Sequence, residues 1–554
     1  MNPDLPKYKT TDEVDFAIVG SGAAGGILAK ELASNGFRVV VFEQGPYLTE
    51  KDFVHDEIRV FNQDQLTNHP DIQPNTFRKT PNDKAKRQRA IAYGRIVGGT
   101  SVHFTANFWR FHEIDFTEHT RYGPTPGADI ADWPITYADL EPYYTKVEWE
   151  IGVSGQANSS PFDPPRSKPY PMPPLPVKGC GVLFERGARK MGWHPFPAPM
   201  AILSQPRPGR SACINCGFCL GFGCEVGAKS SSLATAIRMA EKTGRCEIRP
   251  NSYVHKIELD SNGRATGVVY FDEKRFTQYQ RAKAVIVSAN GAETPRLLLL
   301  SANKQFPNGL ANTSGYVGKN LMFNSAAIYH AQFEQPSNDY KGFCVSRVLH
   351  DFYDLDPNKI GFRGGGGLDA RFDATPIGFA FGSLPPDTPR WGKAFKDALS
   401  YGFPRTFDIF CHGTSLAVPD NSISLDSEVK DAWGLPALCV TYKDHPDDLK
   451  LCNWLSVRAA ELLDAAGAAK KWMSPVTEQE FGVHLLGTCR MGKDQKISVV
   501  NADHQTHDVK NLFLCDGSSF VTSGRGQPTM TIEALAYRAA DRITALARRG
   551  ALGA

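Results

Sequence analysis

The sequence predicts an α/β fold, with α+β elements, in which a dinucleotide-binding domain is interleaved with a separate mixed-sheet domain. Three observations carry that prediction. Residues 14–43 make a βαβ unit with a glycine-rich first turn, and the same device, a buried strand delivering a glycine turn to a helix, returns at 284–300. Residues 326–480 show mixed strand patterns instead, after which a strand, a glycine turn and a long helix close the chain at 512–546.

The first unit is the most informative. The apolar run VDFAIV at 14–19 has strand length, and it ends in Gly20-Ser-Gly22-Ala23-Ala-Gly25. A helix follows, with Ile27, Leu28 and Leu32 on one face and Asn35-Gly36 stopping it; a second strand over 38–42 then closes on Glu43. The unit is Rossmann-like. Gly20 permits the tight turn, Gly22 with Ala23 lets backbone approach a pyrophosphate at the helix N-terminus, and Gly25 lets helix and strand pack closely. Glu43 can accept from ribose hydroxyls, and its charge would repel a 2′-phosphate.

Further along, Gly98-Gly99 in a turn before His103 offers backbone N–H groups to a ring system. Residues 132–144 are aromatic and then helical, and 158–176 are so rich in proline that an extended connection over the surface is expected. Then come Cys213, Cys216, Cys219 and Cys224, a C-x2-C-x2-C-x4-C run. That spacing suits an iron-sulfur cluster or zinc, with a cysteine-rich loop as the bland alternative. The other eight cysteines have no repeating spacing and read as small buried hydrophobes. Within 326–480 the glycines at 364–367 read as a mobile loop, and a helix is expected around 449–465.

Composition excludes several classes. With 62 Lys and Arg against 59 Asp and Glu, the net charge is only +3, so no global field recruits nucleic acid or acidic lipid. No run of about 18 apolar residues is present, which argues against a membrane span. The first ten residues are polar and do not read as a secretory signal, so export is expected to fall to a partner.

The final seventy residues carry the candidate chemistry. His484 opens HLLGTCRMG, Asp516-Gly517 follows a short strand, and Gln527-Pro528-Thr529 opens the clearest helix of the chain. An imidazole that titrates near working pH is a natural base for removing an alcohol proton. The positive end of the terminal helix would stabilise an anionic reduced ring facing it.

Taken together, GSGAAGG with Glu43, GRIVGGTSVH, DWPITYADLEPYY, KPYPMPPLP, SANGAETPRLLL, VGKNLM, HLLGT and QPTMTIEALAYR span nearly the whole chain. In these motifs the sequence resembles the glucose-methanol-choline (GMC) oxidoreductases, specifically the flavin-bearing catalytic subunits of bacterial sugar and gluconate dehydrogenases. The resemblance implies an FAD-binding domain at 12–130, 225–325 and 481–550 and a substrate-binding domain at 326–480. The connection at 131–212 would include a further substrate-domain segment, and 213–224 would be the cysteine segment.

The same resemblance implies FAD held by Gly20, Gly22, Ala23, Gly25, Glu43, Gly98, Gly99, His103, Val254, Asn290, Gly291, Asp516, Gly517, Pro528 and Thr529. His103 stands where some relatives bond the flavin covalently; noncovalent contact is the reading taken here. His484 would act as base and Gln527, where relatives usually carry His or Asn, as the orienter of the substrate hydroxyl. Asn324, in Met-Phe-Asn, departs from relatives that run on into Asp and His. A [3Fe-4S] or [4Fe-4S] cluster on the four cysteines, a small export or chaperone subunit and a cytochrome-type electron acceptor would complete the system. Such a partner would place the chain in the periplasm or at a membrane, and without one it would be cytoplasmic. The substrate would be an alcohol group of a sugar, glycoside, polyol or sugar acid. The alternative is an oxygen-using oxidase in which the cysteines are structural.

Overall fold

The computed structural model describes residues 7–552, and part of the polar N-terminal segment read for an export signal lies outside them. Its main sheet has seven strands, in the order Cys246–Arg249, Val39–Phe42, Val14–Val19, Thr277–Val287, Ala265–Phe271 and Tyr253–Leu259, with Leu512–Leu514 also pairing to Thr277–Val287. The strands around Val14–Val19 run parallel and are almost wholly buried, as expected of apolar runs covered on both faces. Each Val, Ile or Phe enclosed there contributes about 1.5–3 kcal/mol relative to exposure. Helices Ala23–Ser34 and Thr529–Arg548 pack on each other, so the first and last motifs of the chain meet in one layer. The last helix begins at Thr529 with Pro528 as its cap, three residues before the apolar stretch that announced it.

A second sheet is antiparallel throughout, in the order Lys470–Met473, Ser325–Gln332, Thr406–Gly413, Gly366–Arg371, Val345–Leu349 and Phe196–Pro197. Its two faces divide by alternation. Ala327, Ala331, Leu368, Ala370, Phe407, Ile409 and Cys411 join a core with helix Pro446–Ala466, whereas Ile328, Asp408, Phe410 and Arg371 line a cleft. The glycine run is therefore not a mobile loop. Gly366 and Gly367 are buried inside a strand, and a Cβ at Gly366 would stand 2.1 Å from the carbonyl oxygen of His412. The glycines let this strand lie close to its neighbour and to the histidine behind it.

A third sheet of four strands joins Ser422–Lys430 and Pro436–Thr441 to Asn75–Arg78 and Lys86–Arg87, so residues of the 326–480 block also pair with the first hundred. All eight cysteines outside the 213–224 segment are buried. No helix among the described residues is long and apolar enough to cross a membrane.

Candidate active site

The parallel sheet, the antiparallel sheet and the start of the last helix enclose a cleft of about 570 Å³. The dinucleotide turn enters it through Gly20, Gly22 and Ala23, and Glu43, Gly99, His103, Val254, Asn290, Asp516 and Gly517 line it from neighbouring turns. His484, Gln527, Pro528 and Thr529 line it as well. Gly25, Gly98 and Gly291 are buried and do not line it. A Cβ on Gly25 would come within 2.0 Å of the Gly20 carbonyl oxygen, and one on Gly291 within 2.0 Å of the Leu485 carbonyl oxygen. Gly22 is different, since a Cβ there would meet only the Gly99 Cα at 4.0 Å; its bare backbone faces open cleft.

Two carboxylates hold the loops. Glu43 accepts from Ser21 N at 3.2 Å, Ser21 Oγ at 2.8 Å and Gly45 N at 3.0 Å, while burial pushes its carboxyl above the usual range. Asp516 accepts from Thr294 Oγ1 at 2.6 Å, Asn290 N at 3.1 Å and Ser518 N at 2.7 Å, tying two glycine-bearing turns together.

The cleft also presents buried polar atoms without partners among the described residues. The Nε2 of His103 is one, and burial followed by the charge of Lys229 lowers this imidazole to about 4. Both amide atoms of Asn107 are another pair. Such atoms need a ligand or water. With the glycine cradle and the acid after the second strand, the residues present fit an FAD.

His484 is half-buried, and burial, with the charge of Arg371 second, lowers it to about 4. Its Nδ1 lies 3.0 Å from Oδ1 of Asn324. The Nδ2 of Asn324 reaches the carbonyls of Ser523 at 3.2 Å and Gly524 at 3.4 Å, which only accept, so its Oδ1 must face the imidazole. His484 therefore carries its proton on Nδ1, and Nε2 is left as the basic atom. Asn324 adopts φ 65°, a left-handed conformation that Asn tolerates. Next to the site, the buried Arg525 binds Glu118 Oε1 at 2.8 Å and also Asp115, anchoring the loop that delivers Gln527.

Several lining residues had no advance signal in the sequence. Arg371, Asp373 and Asp408 come from strands and loops far apart in the chain, and only their pairing in the antiparallel sheet unites them. Asn107 stands four residues after His103, so that spacing was an available clue.

The cysteine segment packs directly beside this cleft. Leu220 lines the cleft, Gly221 N donates to the His103 carbonyl at 2.8 Å, and Lys229 Nζ donates to the carbonyls of Cys219 at 2.6 Å and Phe222 at 2.8 Å. Cys213, Cys216, Cys219 and Cys224 all line one cavity, but its volume is about 20 Å³, room for little more than a water. Among the described residues no three His, Cys, Asp or Glu side chains stand close enough to hold a metal ion, so the predicted convergence of the thiolates is not present as such. The four side chains line one small cavity, and a cluster would require the segment to rearrange. Backbone N–H groups of Asn215 and Lys229 point at the sulfurs of Cys213 and Cys224, at 3.4 and 3.5 Å.

Comparison with known proteins accords with this geometry. Sequence models of the GMC oxidoreductase family match residues 180–325 and 417–536, and a model of an NAD(P)-binding Rossmann-like domain matches 18–82. A 2-methyl-1,2-propanediol dehydrogenase of Mycolicibacterium austroafricanum is 35% identical over 97% of this chain and 96% of its own. The fructose dehydrogenase large subunit of Gluconobacter japonicus is 32% identical over 96% and 98%, and the gluconate 2-dehydrogenase flavoprotein of Pantoea cypripedii 28% identical over 96% and 93%. Among solved structures, a formate oxidase shares the fold with a TM-score of 0.66 at 16% identity, covering 98% of this chain and 100% of its own. The chain belongs to the GMC oxidoreductase family, and it is an FAD enzyme of the dehydrogenase and oxidase class that acts on alcohol groups.

Proposed function

We propose that the chain is the catalytic subunit of a dehydrogenase that oxidises an alcohol group of a sugar, glycoside, polyol or sugar acid and delivers the electrons to an external acceptor. The observation that carries this reading is His484 at the cleft wall, neutral and with Nε2 free to take a proton. Bound FAD supplies the hydride acceptor. His484 removes the hydroxyl proton as hydride leaves carbon, and Gln527 hydrogen-bonds the same oxygen and fixes its direction. The N-terminus of helix Thr529–Arg548, at the cleft, favours negative charge developing beside it. Gly20, Gly22, Ala23, Glu43, Asn290, Asp516 and their neighbours hold the dinucleotide.

The cysteine segment is proposed to hold an iron-sulfur cluster. Its place against the cleft at His103 and Leu220 and the N–H groups aimed at two of its sulfurs support that role. A cluster there would pass single electrons outward to a cytochrome-type partner, and a small subunit would assist export. Relatives named as a large subunit and as a flavoprotein of named dehydrogenases are consistent with such partners.

The test is anaerobic flavin bleaching with a panel of sugars, polyols and sugar acids, after the absorption spectrum has been recorded. His484→Ala should retain FAD and slow bleaching by roughly two orders of magnitude or more. Bleaching at the parent rate would move the base elsewhere. Acid precipitation that releases the flavin supports noncovalent binding, and retention in the pellet assigns a bond to His103.

A further inference from the structure

The cleft wall contributed by the antiparallel sheet is built to accept hydrogen bonds, and this narrows the substrate class within the proposed function, on which the inference rests. His330, Asp408 and Arg371 are successive register partners across three strands, so their side chains form one row on the cleft face. The cation of that row is already engaged. Arg371 makes a two-pronged bond to Asp369, with Nε to Oδ1 and Nη2 to Oδ2 both at 2.6 Å, and its guanidinium lies 3.9 Å from the centre of the Phe410 ring.

The carboxylates are less completely satisfied. Asp408 uses Oδ1 for His330 Nδ1 at 2.7 Å, and the far Nε2 of His330 meets Ser474 Oγ at 2.9 Å. Asp373 lines the cleft with an ion pair of 3.6 Å to Arg371 Nη1 and accepts no hydrogen bond among the described residues. Two carboxylates, Asp369 and Asp373, thus pair with one guanidinium, and Asp408 is its register partner on the next strand. Burial lifts the Asp373 carboxyl and Arg371 opposes that, so donors arriving with a ligand would favour its ionised form. Arg371, Asp373 and Asp408 line the same cleft as His484. On the same cleft, the unpartnered amide of the 2%-exposed Asn107 is a second polar group awaiting a ligand.

We propose that Asp373 and Asp408 recognise neighbouring hydroxyls of a polyhydroxylated, non-anionic substrate, and that sugar acids are excluded. An ionised carboxylate accepts only, so its ligand must bring donors. Two adjacent hydroxyls supply a matching pair, whereas a ligand carboxylate brings neither a donor nor a compatible charge, and the Nε–Nη2 edge of Arg371 is already held by Asp369.

The experiment compares glucitol or glucose with gluconate on the FAD-loaded enzyme, by steady-state dye reduction and by single-turnover flavin bleaching. The neutral compounds should exceed gluconate in kcat/KM by roughly 100-fold or more, as expected where a ligand carboxylate is brought against carboxylates of like charge. Asp373→Asn should keep its FAD, raise KM for the neutral substrate by about tenfold and narrow the gap to gluconate. Asp408→Asn gives a second reading should Asp373→Asn not fold. Equal or better turnover of gluconate by the parent enzyme, or a KM unmoved in both variants, overturns the inference. Absence of bleaching by any alcohol, neutral or anionic, would instead overturn the proposed function, so the two failures are distinct.

Discussion

The dinucleotide turn and the polar face of the antiparallel sheet line the same cleft, yet they are built by opposite means. At the turn, the essential contacts are backbone on backbone within a few residues, as where the position of a Gly25 Cβ falls 2.0 Å from the carbonyl oxygen of Gly20. On the sheet face, contacts join side chains as much as 39 and 78 residues apart, Arg371 with Phe410 and His330 with Asp408. The first construction tolerates one residue type; the second tolerates many. A turn of the first kind writes itself into the sequence as a motif, and a wall of the second kind leaves only single polar residues at alternating strand positions.

The largest expected effect sharpens this contrast. Gly25→Val would drive a side chain into immovable backbone, and overpacking of that kind costs about 1–3 kcal/mol or more. The variant should lose bound FAD and melt lower, as read by flavin content and a thermal scan. Asp373→Asn, at the other wall of the cleft, should keep both flavin and melting temperature near the parent values. A Gly25→Val protein that retains stoichiometric FAD would dissolve the distinction.

The cysteine segment stands between these two cases. Its spacing was legible, but the metal was not, because a sequence shows which thiols are neighbours and not whether their sulfurs meet. If the segment holds the proposed cluster, Cys219→Ser or Cys224→Ser should leave substrate-driven flavin bleaching near the parent rate and reduce transfer to a cytochrome-type acceptor severely, with loss of iron and sulfide. A zinc or packing role predicts that folding and both half-reactions fall together. Cys219 is the more telling position. A hydrogen bond with Cys344 and the charge of Lys229 hold its thiol below the usual range against burial.

Legibility of the rest followed the same rule. The βαβ unit, the short strand at Leu512–Leu514 and the start of the last helix near Gln527-Pro528 were readable because each is a local pattern of burial and turn chemistry. Twelve of the fifteen residues expected to hold the cofactor line the cleft, and Gly25, Gly98 and Gly291 do not. The glycines at 364–367 misled because glycine-rich stretches usually mark loops, whereas here Gly366 and Gly367 make room for a neighbouring strand and for His412. Asp373, Asp408 and Arg371 carried no signal at all, since alternation in a strand marks a face without saying what that face encloses.

Asn324 is the smallest of these features and joins the two regions, since it precedes the strand Ser325–Gln332 and reaches the base in the last segment. Asn324→Leu would free His484 to place its proton on Nε2, the wrong atom for a base, and kcat should fall about 10- to 100-fold, the usual scale for a partner that orients a reactive imidazole. Asn324→Asp tests the same contact with opposite electrostatics. Its carboxylate would favour the imidazolium, so the acid limb of the pH–rate profile, expected near the lowered value of about 4 in the parent, should move to higher pH. Stability carries the same sign. An unfolded imidazole takes up its proton near about 6.5, while the folded parent resists until about 4, so the parent loses stability as pH falls through that window and the Asp variant loses less. An acid limb that stays where it was in Asn324→Asp, with kcat unaltered in Asn324→Leu, would show that this hydrogen bond does not set the state of His484.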